Sequence, residues 1–137
     1  MSHARTQIRD AVIAQLTGLL TTGPRIHASR MYGGDPLPCL LVHADDEDVA
    51  PATIGNVYER SLTLRVEGFA MAGTGLDDTL DQIALEVETA MAEDERFMLD
   101  SVEADYDDTL QKPVGRIVLA YRITYFTAAN APQTIIS

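Results

Sequence analysis

The stretch His43-Ala44-Asp45-Asp46-Glu47-Asp48-Val49-Ala50-Pro51 concentrates the side chains most able to do chemistry: one imidazole and four carboxylates within six residues. It follows directly on the apolar run Leu40-Leu41-Val42. In an extended strand, His43 and Asp45 lie on one side, close enough for two ligands of a metal ion. Imidazole with carboxylate suits zinc or manganese. A third donor has to come from elsewhere, with His27 a candidate. No HExxH, paired-histidine or EF-hand spacing accompanies the run. The simpler reading is a buried strand that reaches solvent at an acidic exit, continuing as a loop over 45–56. No residue is assigned as catalytic or as a metal ligand, no cofactor is implied, and the chain is read as a non-enzyme.

The other candidates carry less. Asp77, Asp78 and Asp81 form a DDxxD series, with Asp77 and Asp81 on one helix side at i, i+4. The series stands at a helix start, where the dipole favours acids in any case, and no basic cluster is at hand to hold a phosphate. His3, His27 and His43 could act as bases, but Ser29 is the only local nucleophile and no GxSxG elbow is present. Gly33-Gly34 and Gly73-Thr74-Gly75 lack the GK[ST] ending of a phosphate loop and read as turns. Tyr58, Tyr121, Tyr125 and Phe126 sit on alternating strands and read as core or sheet contacts. The lone Cys39 lies in an apolar segment and reads as a small core residue; it excludes an internal disulfide.

Twenty-one acids against ten Lys and Arg give a formal charge of -11 and a pI of about 4.4. A phosphate-binding surface needs clustered cations, so tight nucleic-acid binding is not expected. No apolar run approaches the roughly 20 residues of a membrane span. The N-terminal residues lack a signal-type apolar stretch, which leads to the expectation of a cytoplasmic protein.

The elements that must position these groups follow from periodicity. Ile8, Val12, Leu16, Leu19 and Leu20 recur at helical spacing over 3–22, ended by Gly23-Pro24. A short strand is expected over 25–32, a turn at Gly33-Gly34-Asp35-Pro36 and an interior strand over 38–44. In the long strand 57–70, Tyr58, Leu62, Leu64 and Val66 share one face, with Arg60 near its start, and Ser61, Thr63, Arg65 and Glu67 share the other. Leu76, Leu80, Ile83, Ala84, Val87, Ala90 and Met91 make one helical stripe over 76–92, with Thr74 as a candidate cap. Residues 99–110 alternate weakly. After Lys112-Pro113, the strand 114–127 puts Ile117, Leu119, Tyr121, Ile123 and Tyr125 on one face. The order α-β-β-β-α-β-β, without crossover helices between strands, predicts an α+β domain: a mainly antiparallel sheet with two helices packed on one face. Residues 1–128 form this single domain, and 129–137 read as a flexible or partner-bound tail.

Arg65, Glu67 and Arg122 project from the non-core face of the two longest strands. Opposite charges on a regular sheet face can pair across strands or subunits, so these three are candidate inter-subunit contacts. Ile135 and Ile136 of the tail are a second candidate, able to lie across a neighbour.

As a whole, the helix RTQIRDAVIAQLTGL, the strand PCLLVHADDED, the segment ERSLTLRVEGFA, the helix LDDTLDQIALEVETAM and the closing strand KPVGRIVLAYRITYFT resemble the small tail terminator (minor tail protein U-like) proteins of long-tailed bacteriophages and prophages, over residues 4 to 128. The resemblance implies a structural virion protein at the head-proximal end of the tail, made in the host cytoplasm. It implies a homo-oligomeric ring, usually of six subunits, that caps the tail tube, ends its polymerisation and joins it to a head-completion or connector protein. DNA passes through such a ring without specific binding, and no enzyme activity, cofactor or membrane is involved. Another neck or tail-completion protein of similar architecture is the alternative. In such a ring, Asp45, Asp46, Glu47 and Asp48 are expected to form an acidic loop at the lumen or rim, repelling phosphate within about 10 Å in ordinary salt.

Overall fold

The structure is a computed structural model and describes residues 2–28, 37–52, 55–71, 74–107 and 114–136. The expected turns at 33–36 and 112–113, and Ser29, lie outside the described residues.

Helix α1 spans Ala4–Leu16 and buries Ala4, Ile8, Val12 and Leu16, one residue per turn along a single stripe. His3 caps it: Nδ1 accepts the Arg5 N–H at 3.0 Å. The helix ends six residues before the expected end at 22. Thr17 is extended and Gly18 sits at φ 94°, a left-handed conformation that glycine adopts without a Cβ penalty. Leu20 is consequently left 91% exposed rather than continuing the apolar stripe.

Strand β1 (Ile26–His27) pairs in parallel with β2 (Cys39–Pro51). β2 pairs antiparallel with β3 (Val57–Met71), and β3 with β5 (Val114–Ala128). Helix α2 (Leu76–Met91) follows β3, and β4 (Phe97–Asp107) closes the far end of the sheet against β5. The strand order is β1-β2-β3-β5-β4, with β6 (Ala131–Ile136) also on β5. This is the expected α+β architecture: a mostly antiparallel sheet, both helices on one face. Among the described residues no helix is long and apolar enough to cross a membrane.

The alternation read in the sequence sets the faces. Leu62, Leu64 and Val66 of β3, Leu119 and Ile123 of β5 and Leu40 and Val42 of β2 point under the helices and are fully buried. Val12 and Leu16 of α1 and Ile83 and Val87 of α2 close this core from above. Two glycines let α2 settle onto the sheet. A Cβ on Gly68 would stand 2.7 Å from Ile83 Cγ2, and one on Gly115 would stand 2.7 Å from Leu80 Cδ1. Thr74 does not cap α2; Gly75 holds that position at φ 73° with no side-chain bond.

Two expectations are corrected. Residues 45–51 are not a loop: β2 runs through the acidic stretch to Pro51. Residues 131–136, expected as part of a flexible or partner-bound tail, form β6, which returns along β5, Phe126 opposite Ile136 and Thr127 opposite Ile135. A turn at Ala129-Asn130 reverses the chain.

Candidate functional site

The acidic stretch is shaped by a register shift. Ala44 stands opposite Leu64, but Glu47 stands opposite Leu62. β2 therefore advances three residues while β3 advances two, which is a β-bulge at Asp45-Asp46. Because side chains alternate along a strand, the extra residue reverses the facing of everything after it. Without the bulge, Asp46 and Asp48 would follow Ala44 under the helices. With it, Glu47 goes under the helices and Asp48 comes to the open face beside Ser61.

The four acids consequently have three different fates. Asp45 stays at the open face, its Oδ2 accepting from Arg65 Nε at 2.7 Å. Asp46 and Asp48 are exposed. Glu47 is buried, its side chain 6% exposed. Oε1 accepts from Arg60 Nη1 at 3.0 Å, and Oε2 accepts from the Tyr125 hydroxyl at 2.5 Å. Arg60 Nε in turn donates to Thr127 Oγ1 at 2.8 Å, and its guanidinium lies 5.8 Å from the Tyr58 ring centre. The expectation of a four-residue acidic loop thus fails at Glu47, which neutralises a buried arginine. The signal was present in β3: Arg60 lies in phase with Leu62, Leu64 and Val66, and a buried guanidinium needs a carboxylate.

The open face of the sheet carries a second charge system that crosses four strands. His43 Nε2 of β2 lies 2.7 Å from Glu67 Oε2 of β3. Glu67 Oε1 accepts from Arg116 Nη1 of β5 at 3.0 Å, and Arg116 Nη2 donates to Asp105 Oδ2 of β4 at 2.5 Å. Arg122 donates to Asp100 at 3.2 Å and to Ser61 Oγ at 3.3 Å. The hydrogen bond that Arg65 donates to Asp45, reinforced by the charges of Asp45, Glu103 and Glu67, holds Arg65 above its usual range. Asp105 and Glu67 do the same for Arg116. Arg65, Glu67 and Arg122 therefore lie on the expected face, each already paired inside its own chain. Ile135 packs against the cluster of Ala4, Ile8, Leu62, Ile123 and Tyr125, whereas Ile136 is 41% exposed.

The candidate groups are held in pairs within the chain. His43 and Asp45, the conceivable ligand pair, are bound to Glu67 and Arg65. Among the described residues no three His, Cys, Asp or Glu side chains gather as metal ligands. The Ser61 hydroxyl accepts from Arg122. Tyr121 and Tyr125 are core residues. Burial and the Glu88 charge push Tyr121 up to about 12, and burial with the Glu47 hydrogen bond raises Tyr125 further. A cavity of about 330 Å³ beside α1 is lined by His3, Arg5, Thr6, Arg9 and Ala44.

No model of a protein family matches the chain, and no curated protein does. Among solved structures, a chain from the virion of a native gene transfer agent particle is similar, with a TM-score of 0.61 and 20% identity. The two chains share a fold. The likeness covers 90% of this chain and 98% of the other, so it takes in the whole architecture, not one motif.

Proposed function

We propose that this chain is a structural protein of a phage-like virion, and that its station is the head-proximal end of the tail, as a tail terminator. The observation that carries the reading is the whole-length fold shared with a virion chain, joined to the segment-by-segment resemblance of residues 4 to 128. The side chains agree with it. His43, Asp45, Arg65, Glu67, Arg116, Asp105, Arg122 and Asp100 of the open face are paired with one another. A polar, self-neutralised sheet face can contact another protein surface without leaving buried charge uncompensated.

In this reading the chain forms a homo-oligomeric ring, taken as hexameric, between the tail tube protein and a head-completion or connector protein. A surplus of acid over base suits a ring through which DNA passes, because a channel wall that repels phosphate does not hold it. Asp46 and Asp48 are the members of the acidic stretch free to serve that purpose. Adding the purified chain to polymerising tail tube protein tests the assignment. Tubes should stop growing when it is present, in proportion to the ends available. Tubes that lengthen at an unchanged rate would place the protein at another station of the neck or tail.

A further inference from the structure

The strand order places two unlike surfaces at opposite ends of the sheet. At one end, β4 is exposed at every position after Phe97. Among the described residues no strand pairs with its outer edge. On the helix side of β4, Leu99, Val102 and Tyr106 are 40%, 46% and 52% exposed. α2 borders this strip with Asp81, Leu85 and Glu88, which share one helix side at i, i+4 and i+7. That side faces away from α1, because the opposite flank of α2 is tied toward α1: Glu86 accepts from Thr21, and the Ala90 carbonyl accepts from Gln15. Leu85 is itself 58% exposed. The result is an apolar, strand-edged surface bordered by carboxylates, with no Lys or Arg in β4 or α2.

Toward the other end, α1 lies on the helix side of the sheet over β2. Its Arg5 and Arg9 line the cavity beside Ala44 of β2, and among the described residues the Nε of each is buried without a hydrogen-bond partner. Among the described residues Arg5 donates to the Asp45 carbonyl alone, and Arg9 reaches only the exposed Asp10, at 3.5 Å. Within that set these guanidiniums retain donors without an acceptor.

We propose that the β4–α2 edge is a docking surface for a second copy of this chain, which presents Arg5 and Arg9 to the carboxylates around Leu85, Val102 and Tyr106. Charge complementarity selects this occupant. A chain of net charge -11 repels its own copies unless its scarce cations meet its acids. Two β4 edges facing each other would bring like charges together, which excludes a symmetric pairing. The arginines stand over β2 and the acids along β4, with β3 and β5 between them, so a molecule cannot satisfy itself, and the contact is head-to-tail, the kind that closes rings. The proposal rests on the assembly reading above only for the ring that such contacts close; self-association is independent of the station in the virion.

Charge reversal of the full chain tests it, with light scattering and sedimentation as the readout. The R5E/R9E variant and the D81R/E88R variant should each self-associate roughly a hundredfold more weakly than the wild type, with circular dichroism unchanged. Mixed together they should co-assemble, since each then offers the charge that the other lacks. Wild-type protein that stays monomeric at high concentration, variants that associate like the wild type, or a mixture that fails to assemble would each overturn the docking surface. Failure of the terminator reading is distinguishable: an assembled ring that leaves tube growth unchanged contradicts the station and not the contact.

Discussion

Glu47 Oε1 and Arg60 Nη1 stand 3.0 Å apart beneath the helices, with the Tyr125 hydroxyl on the second carboxylate oxygen. The pair is the consequence of one extra residue in β2. It converts an apparently solvated acidic stretch into a structural device that ties β2, β3 and β5 together on their inner side.

Removing the carboxylate should be severe. Glu47→Ala leaves Arg60, 8% exposed, without its counter-charge; breaking a buried pair on one side costs about 3–5 kcal/mol. The double change Glu47→Leu with Arg60→Leu should cost less than Glu47→Ala, because no charge is then stranded. Urea unfolding of the three proteins measures both differences. Equal stability of Glu47→Ala and wild type would mean that the pair is not buried in solution.

The exposed acids should behave oppositely. Asp46→Asn with Asp48→Asn removes two charges that no described partner holds, so unfolding free energy should stay within about 0.5 kcal/mol of wild type. In phage carrying the pair, the acidic-channel reading predicts slower DNA passage or fewer joined particles. Unchanged titre would count against a role for these two carboxylates.

Most of the architecture was legible, and the failures have local causes. The stripe of α2 and the alternation of β3 and β5 are long periodic signals, so burial follows them nearly residue by residue. The bulge is not periodic: a single inserted residue leaves the composition of HADDEDVAP untouched while reversing its facing. Only the in-phase Arg60, two strand positions before Leu62, hints that an acid must come inside. α1 was read too long because Leu19 and Leu20 continue the spacing past Gly18, whose left-handed backbone ends the helix. β6 was missed because Pro132 and the short run Ile135-Ile136 offer no alternation; its strand state comes from pairing with β5. The charge chain from His43 to Asp105 depends on register between strands distant in sequence, which no single-strand pattern contains.

Gly68→Ala tests how closely α2 sits on the sheet. The new methyl would meet Ile83 Cγ2 at 2.7 Å and Ile117 Cγ2 at 3.2 Å. Overpacking of this kind costs about 1–3 kcal/mol, visible as a lowered Tm. A stability equal to wild type would show that the helix can lift away freely.

Stability should respond to acid through Glu86. Burial works against its charge, but the Thr21 hydroxyl and N–H, with Gln82, more than offset this and leave its pKa below the usual value. A depressed folded pKa contributes stability above the unfolded pKa and loses it as pH falls through the folded one. Wild type should therefore exceed Glu86→Ala by about 1 kcal/mol at neutral pH. The gap should narrow once pH drops below about 4.5, the unfolded value. A gap independent of pH would contradict the hydrogen bonds that Glu86 accepts from Thr21.

Alkaline pH should act through the core tyrosines. Tyr121 is raised to about 12 by burial and Glu88, and Tyr125 is raised as well. A raised folded pKa means stability that is complete below the unfolded value of 10 and lost as pH climbs toward the folded one. Tyrosinate absorbance should show these two titrating late, together with unfolding. All five tyrosines titrating together near 10 would contradict their burial.

The central claim, a ring-forming virion protein at the head-proximal end of the tail, is tested most directly by electron microscopy of tails assembled with a labelled copy of this chain. A ring of label at the head-proximal tip alone is expected, with tubes of irregular length when the chain is omitted. Label spread along the tube or at the opposite tip, or tails of normal length without the chain, would contradict it.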